Sequence, residues 1–130
     1  MPPPMMSFLY VALGGAIGAS ARHGLSLASL RLFGPGFPMG TLLANVIGGL
    51  LMGLLMGWLA AKSPETQQDI RLFAGVGVLG GFTTFSAFSL ESFRMFEAKA
   101  YGPLIGYVGA SVLLSILAIA LGLYLMRGAA

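Results

Sequence analysis

Cysteine is absent from the 130 residues, histidine and tryptophan occur once each, and charged residues make up only 8%. Without cysteine there is no disulfide scaffold and no thiolate metal site. A lone His23 excludes a paired-histidine site, which needs several ligands. An ordinary soluble domain carries roughly 25% charge. Here hydrophobic residues reach 57%, and mean hydropathy is +0.90. A chain this short leaves a large share of its surface exposed and cannot hide that much apolar area in water. A soluble globule, a disordered tail and a coiled coil are therefore excluded, and a membrane protein is indicated. The formal charge of +3 comes from seven scattered basic residues, which make no patch, so no nucleic-acid partner is expected. No HExxH, Walker A or Gly-x-Ser-x-Gly motif is present, and no enzyme is expected.

What is present is long apolar runs. About 20 apolar residues cross roughly 30 Å of hydrocarbon as a helix. Residues 41–61, 72–90 and 101–126 carry no charge, whereas 8–21 is too short unless the span continues through Arg22 and His23. The pattern predicts one all-α transmembrane domain over 1–130, with helices at about 7–32, 39–61, 71–96 and 101–127. Gly34, Pro35, Gly36 and Pro38 break the chain after helix 1, Ser63-Pro64-Glu65 is a helix-start signal, and 97–99 closes helix 3. The first six residues are expected to fray. Ala19-Ser20-Ala21 has the look of a signal-cleavage site, but no Lys or Arg precedes the apolar run, so cleavage is not expected. Basic residues at helix ends divide evenly: Arg31, Arg94 and Lys99 on one side, Lys62, Arg71 and Arg127 on the other. The positive-inside rule then selects no orientation, and dual topology with an antiparallel homodimer is expected.

Glycine is ordered as well as abundant. Asn45, Gly49, Gly53 and Gly57 recur at i+4 in helix 2, as do Gly14, Gly18 and Arg22 in helix 1 and Gly102, Gly106 and Ala110 in helix 4. Small residues at this spacing let helices approach closely in lipid. Arg22 and Asn45 share those packed faces. Arg22 pairs with a neighbouring helix or contacts a substrate, and Asn45 makes an interhelical hydrogen bond or turns its amide donors to an anion.

Helix 3 is unusual. Gly80-Gly81 stands before Thr83-Thr84 near mid-membrane, a poor sequence for a continuous helix. A break is predicted near 80–84, which would free carbonyls suited to a small cation. Beyond it, Phe85 and Phe88 share one ridge, while Ser86 and Ser89 share the next. Ring edges carry partial positive charge, so rings beside hydroxyls could replace water around a small anion. The carboxylates Glu65, Asp69, Glu91 and Glu97 all flank spans, where a proton-coupled exporter would want one at a span centre.

Three ordered motifs carry a resemblance to the Fluc fluoride-channel family (CrcB-like proteins). They are Gly14-Gly15-x-x-Gly18-Ala19-x-x-Arg22, then Asn45 followed by Gly48 and Gly49, then Gly80-Gly81-Phe82-Thr83-Thr84-Phe85-Ser86-x-Phe88-Ser89-x-Glu91. The resemblance implies an antiparallel dual-topology homodimer with two fluoride pores and a structural Na⁺ at its centre. It implies that the carbonyls of Gly80 and Thr83 hold the Na⁺, that Phe85, Phe88 and Asn45 line the pore, and that Ser86, Ser89, Tyr107 and Ser111 form a hydroxyl track with Glu91 at its end. Arg22, Gly49 and Gly53 are assigned to structure and packing. The chain departs from the family at His23, where an aromatic residue is usual, and at Ala87, where threonine is frequent.

The expected function is passive export of fluoride across the inner or plasma membrane of a prokaryotic cell by a multi-pass protein in contact with lipid. The alternatives are a small dual-topology proton-coupled multidrug exporter that uses Glu91, and a non-transporting membrane scaffold.

Overall fold

The computed structural model describes residues 3–129. Of the start expected to fray, Met1 and Pro2 lie outside the described residues. The described chain is helical, with no strand among those residues: α1 Pro4–Phe33, α2 Met39–Leu59, α3 Pro64–Ile70, a π-helical stretch Arg71–Leu79, α4 Gly80–Phe82, α5 Ser86–Glu97 and α6 Tyr101–Ala129. Four stretches are long and apolar enough to cross a membrane, with Pro64–Glu97 acting as the third. The chain is thus a multi-pass membrane protein. Large side chains such as Phe8, Leu32 and Ile105 are more than 70% exposed, as lipid-facing residues are when no core is needed to hide them from water.

The first helix starts earlier than expected. Pro4 occupies its first turn, where a proline loses no helical hydrogen bond and its fixed φ suits the helix. Pro4, Met5 and Met6 are therefore helical instead of frayed. The third span also starts early, at Pro64 instead of 71. Ser63 caps it, its Oγ accepting from the Thr66 amide at 3.4 Å.

Packing follows the glycines in two pairs: α1 lies against the π-helical stretch and α4, and α2 lies against α6. In the first pair, a Cβ on Gly77 would sit 2.9 Å from the Gly14 Cα, and one on Gly81 would sit 2.7 Å from the Gly15 carbonyl oxygen. Backbone meets backbone there, with no room for a methyl group. In the second pair, Gly49 faces the Ser115 carbonyl and Gly53 faces that of Ile119, while Gly122 returns the contact to Leu50. The predicted stripe Gly102-Gly106 is different. A Cβ on either glycine would meet nothing within 4 Å among the described residues, whereas Gly49, Gly53 and Gly122 mark where the later turns of α6 pack on α2.

The third span is irregular where the site lies. Residues 71–79 follow the wider π pattern, which is rare and frequently accompanies functional sites. After the three residues of α4, Thr83 turns extended at φ −88°, ψ 160°, and helix resumes only at Ser86. The span closes on a Schellman motif, with Lys99 N–H donating to the Phe96 carbonyl and Ala100 N–H to that of Met95. Lys99 occupies the left-handed position at φ 58°.

Candidate functional site

The interruption at 83–85 is held from outside by α2. Asn45 Nδ2 donates to the Thr84 carbonyl at 3.0 Å, and the Thr84 amide donates to Asn45 Oδ1 at 2.8 Å. One side chain thereby satisfies both backbone groups of a residue that has left the helix, as burial in lipid requires. Because the Thr84 N–H turns to Asn45, it does not reach the Gly80 carbonyl four residues earlier, and that oxygen loses its helical donor. Next to it, Arg22 Nε donates to the Gly81 carbonyl at 3.2 Å. Arg22 therefore ties α1 to the end of α4. His23, beside it, is exposed.

The threonines finish the local structure. Thr83 Oγ1 donates back to the Leu79 carbonyl at 2.9 Å. Thr84 Oγ1 accepts from the Ala87 amide at 3.2 Å and lies 3.3 Å from Ser86 Oγ, so it caps the start of α5. Ala87, which lacks the frequent threonine hydroxyl, contributes its amide to that cap.

A cavity of about 460 Å³ opens against this region, lined by Asn45, Thr83, Phe85, Phe88, Ser111 and Ser115 among others. Phe85 and Phe88 have ring centroids 5.5 Å apart, and Phe88 is 5.3 Å from Tyr107. Phe85 is 77% exposed, whereas Tyr107 has no exposed surface. The hydroxyls of Tyr107, Ser111 and Ser115 are buried without a hydrogen-bond partner among the described residues. Buried polar atoms are usually satisfied, so these three hydroxyls, four residues apart on one face of α6, are an unusual row.

Glu91 belongs to a second cavity, of about 570 Å³, which it lines with Thr41, Phe37, Ser26, Ser29 and Arg94. Thr41 Oγ1 donates to Glu91 Oε1 at 2.6 Å. Of the residues singled out from sequence, Asn45, Gly49, Thr83, Phe85, Phe88 and Ser111 thus share one cavity, with Tyr107 against its wall and Glu91 in the next. Ser86 and Ser89 are exposed, and Ser89 Oγ donates to the Phe85 carbonyl at 2.9 Å. Gly80 is exposed as well. Thr41, Thr84, Ser115 and Phe37 were not singled out. Thr41 and Ser115 had a signal, each lying one helical turn from a chosen residue (Asn45 and Ser111). Phe37 sits in a loop and had none.

No cluster of three His, Cys, Asp or Glu able to hold a metal occurs among the described residues.

Comparison with known proteins agrees with the motifs. The family described as CrcB-like protein, Camphor Resistance (CrcB), matches residues 9–123. A protein of Caulobacter sp. (strain K31) named fluoride-specific ion channel FluC is 51% identical over 123 residues, covering 95% of this chain and 96% of its own. The protein of that name from Hyphomonas neptunium is 52% identical, covering 95% and 97%. The one from Mesorhizobium japonicum is 45% identical, covering 95% and 98%.

Proposed function

The chain belongs to the CrcB-like protein family, and on that footing we propose that it is a fluoride-selective channel that lets F⁻ leave the cell passively through the inner membrane. It is a transport protein, not an enzyme. Fluoride enters a cell as neutral HF, dissociates where the pH is higher, and is trapped as the anion until a pore releases it.

The observation that carries this reading is the cavity beside the Asn45–Thr84 clasp. It is lined by ring faces and edges, by hydroxyls on α6 and by one amide whose second Nδ2 hydrogen remains free. A small anion can exchange its water for these donors. No full cation lines the cavity, which favours release as well as entry. In this path Phe85 and Phe88 supply ring edges, Asn45, Tyr107 and Ser111 supply donors, and Glu91 marks the end, whereas Ser86 and Ser89 line neither cavity and the Ser89 hydroxyl is committed to the Phe85 carbonyl.

A structural Na⁺ belongs to the same proposal. The residues fit it: the Gly80 carbonyl lacks its helical donor, Thr83 is extended, and the intervening Gly81 carbonyl is already engaged by Arg22. Carbonyl oxygens suit a hard cation. One chain offers too few of them, and the exposure of Gly80 supports completion by a second, antiparallel copy. The even division of basic residues between the two sides supports the same dual-topology dimer. Bound there, Na⁺ would supply a fixed positive field and join the two interruptions.

The exporter alternative rests on Glu91, whose carboxylate is engaged by Thr41 near the end of the track. Efflux from liposomes of the purified chain separates the two. A channel empties them of fluoride when a potassium ionophore shunts the charge, with no proton gradient. An exporter that needs a proton gradient contradicts the proposal.

A further inference from the structure

The connection between α1 and α2 carries a ring that the channel reading leaves unused. Pro38 sits at φ −78°, ψ 66°, close to the inverse γ-turn at about −75°, +65°, and the Met39 amide closes the turn on the Phe37 carbonyl at 2.8 Å. Proline also restricts the residue before it. The backbone of Phe37 is therefore fixed, although it lies in a loop.

Its ring meets Tyr107 edge to face, with centroids 5.5 Å apart and planes at 88°. Tyr107 is fully buried, and Phe88 stands against it at 5.3 Å. Phe88 lines the first cavity, and Phe37 lines the second beside Thr41 and Glu91. Four rings, Phe85, Phe88, Tyr107 and Phe37, thus run without a gap from one cavity to the other.

We propose that Phe37 is a positioning residue for anion passage: it holds Tyr107 against Phe88, and the Phe37–Tyr107 pair sets the width of the passage between the two cavities. This rests on the channel reading. With the ring removed, Tyr107 gains room to turn away from Phe88. Its hydroxyl leaves the row it forms with Ser111, and the passage widens. Fluoride then loses donors while larger halides lose an obstacle.

The test is fluoride and chloride efflux from liposomes holding the wild-type protein, Phe37→Ala or Phe37→Trp. Phe37→Ala should slow fluoride release about tenfold, and Phe37→Trp should stay within about twofold of wild type. The preference for fluoride over chloride should narrow in Phe37→Ala. On a Tyr107→Leu background, adding Phe37→Ala should change the rate by less than about twofold, because both act through one ring. Wild-type rate and selectivity in Phe37→Ala, equal damage in Phe37→Trp, or additive losses in the double variant would each overturn the inference. Where Phe37→Ala gives no folded protein, Phe37→Met is judged by the same criteria, and failure of both to fold assigns Phe37 to the fold alone. A wild-type protein that releases no fluoride overturns the channel reading itself, whereas a conducting wild type with an equally conducting Phe37→Ala overturns only this inference.

Discussion

Asn45 grips Thr84 with both ends of one amide, donating to its carbonyl at 3.0 Å and accepting from its amide at 2.8 Å. The backbone interruption is thereby satisfied from a neighbouring helix. Loss of either bond strands a buried polar group, at about 1–3 kcal/mol. Asn45→Asp keeps the acceptor for the Thr84 amide but turns a negative oxygen toward the Thr84 carbonyl and toward the path. Fluoride flux should fall at least about tenfold, and the melting temperature in detergent should drop. Wild-type flux in this variant would show that Asn45 serves packing alone.

Phe85 separates ring chemistry from bulk. Phe85→Ile keeps apolar volume but removes the ring edge, and 77% of this side chain is exposed, so folding should be little affected. Flux should fall about tenfold or more with an unchanged elution volume in size-exclusion chromatography. If flux is unchanged, the ring has no part in conduction.

Sodium should act as a ligand of the folded protein. A ligand that binds only the folded state stabilises it by about 2.7 kcal/mol at 100 times its dissociation constant. Thermal unfolding in detergent should therefore shift upward, and saturate, as Na⁺ replaces a large organic cation at constant ionic strength. A flat response after exhaustive removal of Na⁺ would exclude the structural ion.

Lys99 stores strain at the end of α5. A side chain in the left-handed region costs roughly 1–2 kcal/mol, and at φ 58° this lysine bears that cost. Glycine fits the Schellman position better. Lys99→Gly should raise the melting temperature and leave flux as it was, because the residue touches neither cavity. A lower melting temperature would mean that the lysine side chain offsets its backbone strain by a contact of its own.

The four spans were legible because charge and apolar run length report directly on lipid burial, and the motif from Gly80 to Glu91 covers the residues 83–85 that leave regular helix. Register was less legible. The π-helical stretch is a choice of hydrogen-bond partner, and no local propensity announces it. Asn45 was open between helix glue and anion donor; its two bonds to Thr84 are visible only once α2 and the interruption lie side by side. Gly102 and Gly106 share the spacing of Gly49 and Gly53, yet a Cβ on either would meet nothing within 4 Å among the described residues, since spacing defines a face but not what covers it. Phe37 escaped for the opposite reason: a loop has no periodicity to read, and its ring matters through Tyr107, seventy residues away.

The most direct measurement is fluoride and chloride release, recorded side by side with ion-selective electrodes, from liposomes that contain only this purified protein. A fluoride-selective channel empties them of fluoride within seconds of adding the potassium shunt and leaves chloride inside. Release of both halides at similar rates, or of neither from a well-folded protein, would contradict the proposed function.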